Sequence, residues 1–81
     1  MKIIRVDNNN IISLENVRRV QIVVEETSHT SYGQRYTIKD YRIRIIYNND
    51  NIERIECGEN KAGKELSETI MEKIFNILEK D

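Results

Sequence analysis

Proline and tryptophan are absent from this chain, glycine occurs three times, and cysteine occurs once, at Cys57. A single cysteine excludes an intrachain disulfide and any Cys-x-x-Cys metal or redox pair. Small domains bound for oxidising compartments normally carry disulfides, so the chain reads as cytoplasmic. No apolar run approaches the roughly 20 residues of a membrane span. The stretch Met1-Lys2-Ile3-Ile4-Arg5-Val6-Asp7 is too short and too charged for the apolar region of a signal peptide, and reads as a short strand. An excess of one charge is missing too. Thirteen Lys and Arg stand against fourteen Asp and Glu, a net charge of −1. Residues 1–47 hold eight cations and five carboxylates, and residues 48–81 hold five and nine. That asymmetry is too modest for the basic footprint of a phosphate-backbone binder.

What remains is a chain of 81 residues, 38% hydrophobic and 33% charged, with four tyrosines and one phenylalanine as its aromatics. It makes a single domain, 1–81. At this size only ~60–65% of the unfolded surface is buried, so the core is thin and a second copy or a partner would help it. Apolar residues recur at every second position before Gly58, as Val20, Ile22, Val24 and then Ile43, Ile45, Tyr47. After Gly58 they fall at Leu66, Ile70, Ile74, Ile77 and Leu78, the stripe of an amphipathic helix. Strands followed by one terminal helix predict an α+β fold, an antiparallel sheet of four to five strands packed by one C-terminal amphipathic helix. The expected strands are about 2–6, 11–14, 17–26, 36–47 and 52–57, with the helix about 61–79.

Nine asparagines punctuate the chain, clustered at Asn8-Asn9-Asn10 and Asn48-Asn49 with Asn51 close by. Asparagine tolerates left-handed backbone and bonds its own turn, so these clusters mark turns. The expected turns are 7–10 and 49–51, with a corner at Glu15-Asn16 and a polar loop over 27–35. At the last hairpin a two-residue loop would set Ile45 against Arg54, which alternation in a half-buried sheet forbids. A three-residue loop Asn49-Asp50-Asn51 instead pairs Ile45 with Ile55, Ile43 with Cys57 and Arg44 with Glu56, with an asparagine in the left-handed position. In the strand before it the apolar parity slips from Tyr36 and Ile38 to Tyr41, Ile43, Ile45 and Tyr47. Either a bulge sits near Lys39-Asp40, or the strand begins at Tyr41.

Four places carry residues with chemistry. Gly58-Glu59-Asn60-Lys61-Ala62-Gly63-Lys64-Glu65 matches G-x-x-x-x-G-K, but Glu65 stands where a magnesium-binding Ser or Thr belongs, and no parallel sheet is predicted to support a phosphate loop. It reads as a strand-to-helix turn with Asn60 as N-cap, leaving weak anion binding by Lys61 and Lys64 at the helix N-terminus. His29 lies between Ser28 and Ser31 and near Glu25 and Glu26, but neighbours on one flexible loop do not make a held nucleophile–base pair. Arg35, Tyr36, Lys39, Tyr41, Arg42, Arg44 and Tyr47 interleave cations with aromatics, as single-strand nucleic-acid platforms do. Alternation splits that set, sending Arg42 and Arg44 to the face opposite Tyr41 and Tyr47, where Glu25 and Glu56 are available to neutralise them. On the helix, Met71 and Phe75 lie at the far margin of the apolar arc and are left over by one sheet face.

The segment Ile11-Ile12-Ser13-Leu14-Glu15-Asn16-Val17, followed by Val20 and Ile22, resembles the opening of small uncharacterised bacterial and phage proteins with a β-meander and a C-terminal helix. Some of these resemble a reduced pleckstrin-homology-like half-barrel. The resemblance implies an α+β layout and no activity. The function expected from the residues is a non-enzymatic interaction module that self-associates or docks a protein partner by strand addition, with Met71, Phe75, Arg19, Arg42 and Arg44 as the candidate surface. The alternative is a small nucleic-acid-associated protein using Arg19, Arg42 and Arg44. No catalytic residue, cofactor, metal, small-molecule substrate or membrane partner is expected.

Overall fold

A computed structural model describes residues 2–6 and 9–80 of the chain. The elements run β1 (Ile3–Arg5), β2 (Ile11–Ser13), β3 (Val17–Ser31), β4 (Gln34–Tyr47), β5 (Ile52–Glu59) and α1 (Asn60–Glu79). The fold is α+β, and its five antiparallel strands divide into two sheets, β1-β2 and β3-β4-β5. Alternation places Ile43 and Ile45 of β4, both fully buried, beneath α1 with Ile74, and Ile55, Cys57 and Ile70 close the layer. Ile4 of β1 and Leu14, just past β2, complete the core. Each fully buried isoleucine contributes roughly 1.5–3 kcal/mol.

The helix lies unusually close to the strand that precedes it. Gly63 and Ser67 occupy the middle of its buried face, and Ser67, fully buried, donates its hydroxyl to the Lys64 carbonyl at 2.7 Å. A Cβ on Gly63 would run into the main chain of Gly58, which has φ 111°. The two glycines of the G-x-x-x-x-G-K match are therefore contact points between helix and strand. Asn60 is not the N-cap. Glu59 holds that position without a side-chain cap bond, and Asn60, at φ 55°, accepts the main-chain N–H of Lys39 on its Oδ1 at 3.1 Å.

The polar stretch expected to be a loop over 27–35 is instead ladder. β3 and β4 pair without interruption from Arg19↔Ile46 to Ser31↔Gln34. Tyr32 (φ 52°) and Gly33 (φ 75°) both take positive φ, the two-residue type I′ turn that matches strand twist. No bulge interrupts the β3 ladder at Lys39-Asp40, and β4 begins at Gln34 rather than Tyr41. Tyr36 and Ile38 therefore lie on the face opposite Ile43. Of the turn expected at 7–10, residues 7 and 8 lie outside the described residues.

The β4–β5 hairpin keeps its three-residue loop, but one residue earlier, at Asn48-Asn49-Asp50. The Tyr47 N–H donates to the Asn51 carbonyl at 2.9 Å, and Asp50 (φ 70°), not an asparagine, takes the left-handed position. Asn48 donates its N–H to the Asn16 carbonyl at the β2–β3 corner, 2.9 Å away, which extends the β3–β4 ladder one step past Val17↔Tyr47. Ile43 then faces Ile55, Ile45 faces Glu53, Arg42 faces Glu56, and Arg44 faces Arg54. The expected Ile45–Ile55, Ile43–Cys57 and Arg44–Glu56 pairs do not form. A register shift next to Tyr41, which pairs with Gly58, leaves Cys57 as the extra residue of β5, buried on the same side as Ile55 two positions before it.

β5 pairs with β4 only as far as Asp40↔Glu59, so residues 26–39 stand beyond it as a two-stranded arm. The molecule is correspondingly long, 54 × 24 × 23 Å, with a radius of gyration of 15.0 Å against the roughly 12 Å of a compact domain this size.

Candidate interaction surface

A helix is about 10–12 Å wide and strands are about 4.8 Å apart, so one helix covers about two strands. Here α1 packs on β4, β5 and β1. β3 lies at the end of the sheet order, and Ile22 and Val24 on its helix-side face remain 37% and 44% exposed. Its outer edge is open as well. The two-residue turn makes Ser31↔Gln34 a hydrogen-bonded pair, so the odd residues of β3 bond β4. The main-chain groups of Val20, Ile22, Val24, Glu26, Ser28 and Thr30 turn outward, and no strand pairs with them among the described residues. An open edge with apolar side chains is a template for another strand.

The residues singled out from sequence fall on two opposite faces. Arg19, Arg42 and Arg44 share the face away from the helix, and Met71 and Phe75 are on α1. Phe75 is 53% exposed and Met71 half-buried; Leu66, at the other margin of the helix, is also exposed. Arg42 is neutralised, with Nη2 3.0 Å from Glu25 Oε2 and Nε 3.9 Å from Glu56 Oε2. Arg44 lies between Gln21 and Arg54, and its Nε is buried without a hydrogen-bond partner. Arg18 bonds Asp50 at 2.9 Å, and Lys39 sits 3.5 Å from Glu26. These exposed pairs are worth ~0–1 kcal/mol each. Sequence reasoning missed Ile22 and Val24 as surface residues. The signal available was the count of three strands against one helix.

The residues with catalytic potential are dispersed. His29 stacks on its cross-strand neighbour Tyr36 in the arm, ring centroids 5.4 Å apart. Cys57 is buried, and burial first, then Glu56, pushes its thiol pKa up, while a main-chain bond with Ile43 pulls the other way. Tyr47 donates its hydroxyl to the Ser13 carbonyl at 2.6 Å, tying β4 to β2; burial, and then Glu53, raises its pKa. A cleft of about 820 Å³ opens between β2 and β5, with Ile11, Ile12, Tyr47, Glu53, Arg54 and Ile55 on its walls. Among the described residues no cluster of His, Cys, Asp and Glu could hold a metal ion, and no helix is long and apolar enough to cross a membrane.

No protein-family model, curated protein or solved structure matches this chain.

Proposed function

We propose that this chain is a non-enzymatic protein-interaction module that associates with a second copy of itself by strand addition at β3. One observation carries the reading: β3 is fifteen residues long, no strand pairs with its outer edge among the described residues, and Ile22 and Val24 on its helix-side face stay exposed. Closing that edge satisfies main-chain groups and removes Ile22 and Val24 from water together. Multi-angle light scattering on a dilution series tests the reading. A mass about twice the 9.6 kDa of one chain at high concentration supports it, and 9.6 kDa throughout refutes it.

A second reading, nucleic-acid association through the open sheet face, is favoured by the direct opposition of Arg44 and Arg54, neither in an ion pair among the described residues. A mobility shift at low salt that collapses as salt rises would establish it in place of the first.

A further inference from the structure

We infer that two copies pair antiparallel along β3 about a two-fold axis through Ile22, with Arg19 of each copy opposite Glu25 of the other. This rests on the self-association reading and specifies its register. The segment Arg18-Arg19-Val20-Gln21-Ile22-Val23-Val24-Glu25-Glu26 is antisymmetric in charge about Ile22. Two arginines precede an apolar centre and two glutamates follow it at equal distances. A strand of this kind is complementary to its own reverse, which is what a two-fold interface requires.

The ladder limits the choice further. Outward main-chain groups belong to the even residues of β3, so even must face even, and the axis must pass through a residue rather than between two. An axis at Gln21 sets Arg19 against Val23. An axis at Val23 sets Val20 against Glu26, and one at Val24 sets Ile22 against Glu26. Each opposes a charge to an aliphatic side chain. The axis at Ile22 alone matches Val20 with Val24, Ile22 with itself, and Arg19 with Glu25.

The monomer is prepared for this arrangement. Arg19 has no ion pair among the described residues, while Glu25 already accepts Arg42 at 3.0 Å, so association extends that bond into an Arg42–Glu25–Arg19 chain across copies. Val20, Ile22 and Val24 lie on the helix side, where the two uncovered strips become neighbours. A register shift falls between Val17 and Arg19, twisting the edge away there and leaving Arg18 to Asp50. The pairing therefore runs from Arg19 to Glu25, and the arm of each copy projects past the end of it. The sheet β5-β4-β3 of one copy continues into β3-β4-β5 of the other.

Cysteine cross-linking in a Cys57→Ser background reads the register. Ile22→Cys meets its own copy at the axis, about 5.5 Å between Cα atoms, within disulfide reach. Val24→Cys lies roughly 14 Å from its copy, beyond that reach. The expected result is an oxidised dimer for Ile22→Cys and none for Val24→Cys. Charge reversal supplies a second reading: Arg19→Glu alone and Glu25→Arg alone weaken association by about tenfold, and an equimolar mixture of the two recovers it. Far-UV circular dichroism on each variant separates lost association from lost fold. A dimeric wild-type protein in which Val24→Cys cross-links and Ile22→Cys does not refutes the register while sparing self-association, as does a mixture that fails to recover. A wild-type protein that remains monomeric at every concentration refutes both.

Discussion

Replacing Gly63 with alanine sets two physical effects against each other, and the structure predicts which wins. In an ordinary helix interior alanine is about 1 kcal/mol more favourable than glycine, so helix propensity alone predicts a more stable protein. Here the added Cβ would lie 2.5 Å from the Gly58 carbonyl carbon, closer still to its oxygen, and 3.3 Å from its Cα. All three are main-chain atoms with no rotamer to yield. Carbon atoms rest at about 3.5–4.0 Å, so the first turns of α1 must retreat by roughly 1 Å. That retreat loosens the packing of Ser67 and Ile70, both buried behind it. Overpacking costs about 1–3 kcal/mol; with only backbone free to move the cost lies at the top of that range, and less the gain of about 1 kcal/mol in propensity it leaves a net loss of roughly 2 kcal/mol. For a domain of this size that lowers Tm by about 8–16 °C. Thermal unfolding followed by circular dichroism measures it. A Gly63→Ala protein with a raised Tm would show that the helix does not sit against Gly58, and the structural explanation of the G-x-x-x-x-G-K match would fall with it.

Tyr47→Phe removes the 2.6 Å bond to the carbonyl of Ser13, an exposed residue that water then serves, costing about 0.5–1 kcal/mol and about 2–8 °C in Tm. The Tyr47 pKa is raised in the fold, so the folded state favours the protonated phenol. Its contribution is whole below the ordinary tyrosine value of about 10 and is lost as pH rises through the folded-state value. Denaturant titrations across that range should show stability falling in the wild type and falling less in Tyr47→Phe, and equal slopes would contradict the assignment. Cys57, buried with a raised pKa, should react with a disulfide thiol reagent slowly in the native protein and completely in urea; equal rates would place the thiol at the surface. Ile45→Ala, at a fully buried site under the helix, should cost about 2–5 kcal/mol, a large share of the stability of a domain this small, and a loss under 1 kcal/mol in urea denaturation would contradict its place in the core.

The fold class was legible because the period changes cleanly at Gly58: alternation marks Ile43 and Ile45, and the helical stripe marks Ile70 and Ile74. The arm was not legible, because Thr27-Ser28-His29-Thr30-Ser31 has the polarity of a loop. Its strand character comes from pairing with residues 34–38 across a turn whose only sequence mark is Gly33. The β4–β5 loop falls one residue earlier than expected, which moves each partner on β5 by two, from Ile55 to Glu53 opposite Ile45; both registers keep the same residues on each face, so alternation does not distinguish them. At the candidate surface, alternation correctly separates Arg42 and Arg44 from Tyr41 and Tyr47. It leaves unread that Arg42 takes Glu25 and Glu56 both, because which arginine meets Glu56 depends on the turn. The exposure of Ile22 and Val24 follows from how many strands one helix spans, a property of the assembled layers.

Amide hydrogen exchange along β3 examines the open edge most directly. The N–H groups of Val20, Ile22 and Val24 point away from β4, whereas those of Gln21 and Val23 bond it. Self-association at this edge predicts that Val20, Ile22 and Val24 exchange freely in dilute solution and become protected as concentration rises, while Gln21 and Val23 are protected throughout. Free exchange at the three even positions at every concentration would contradict the account.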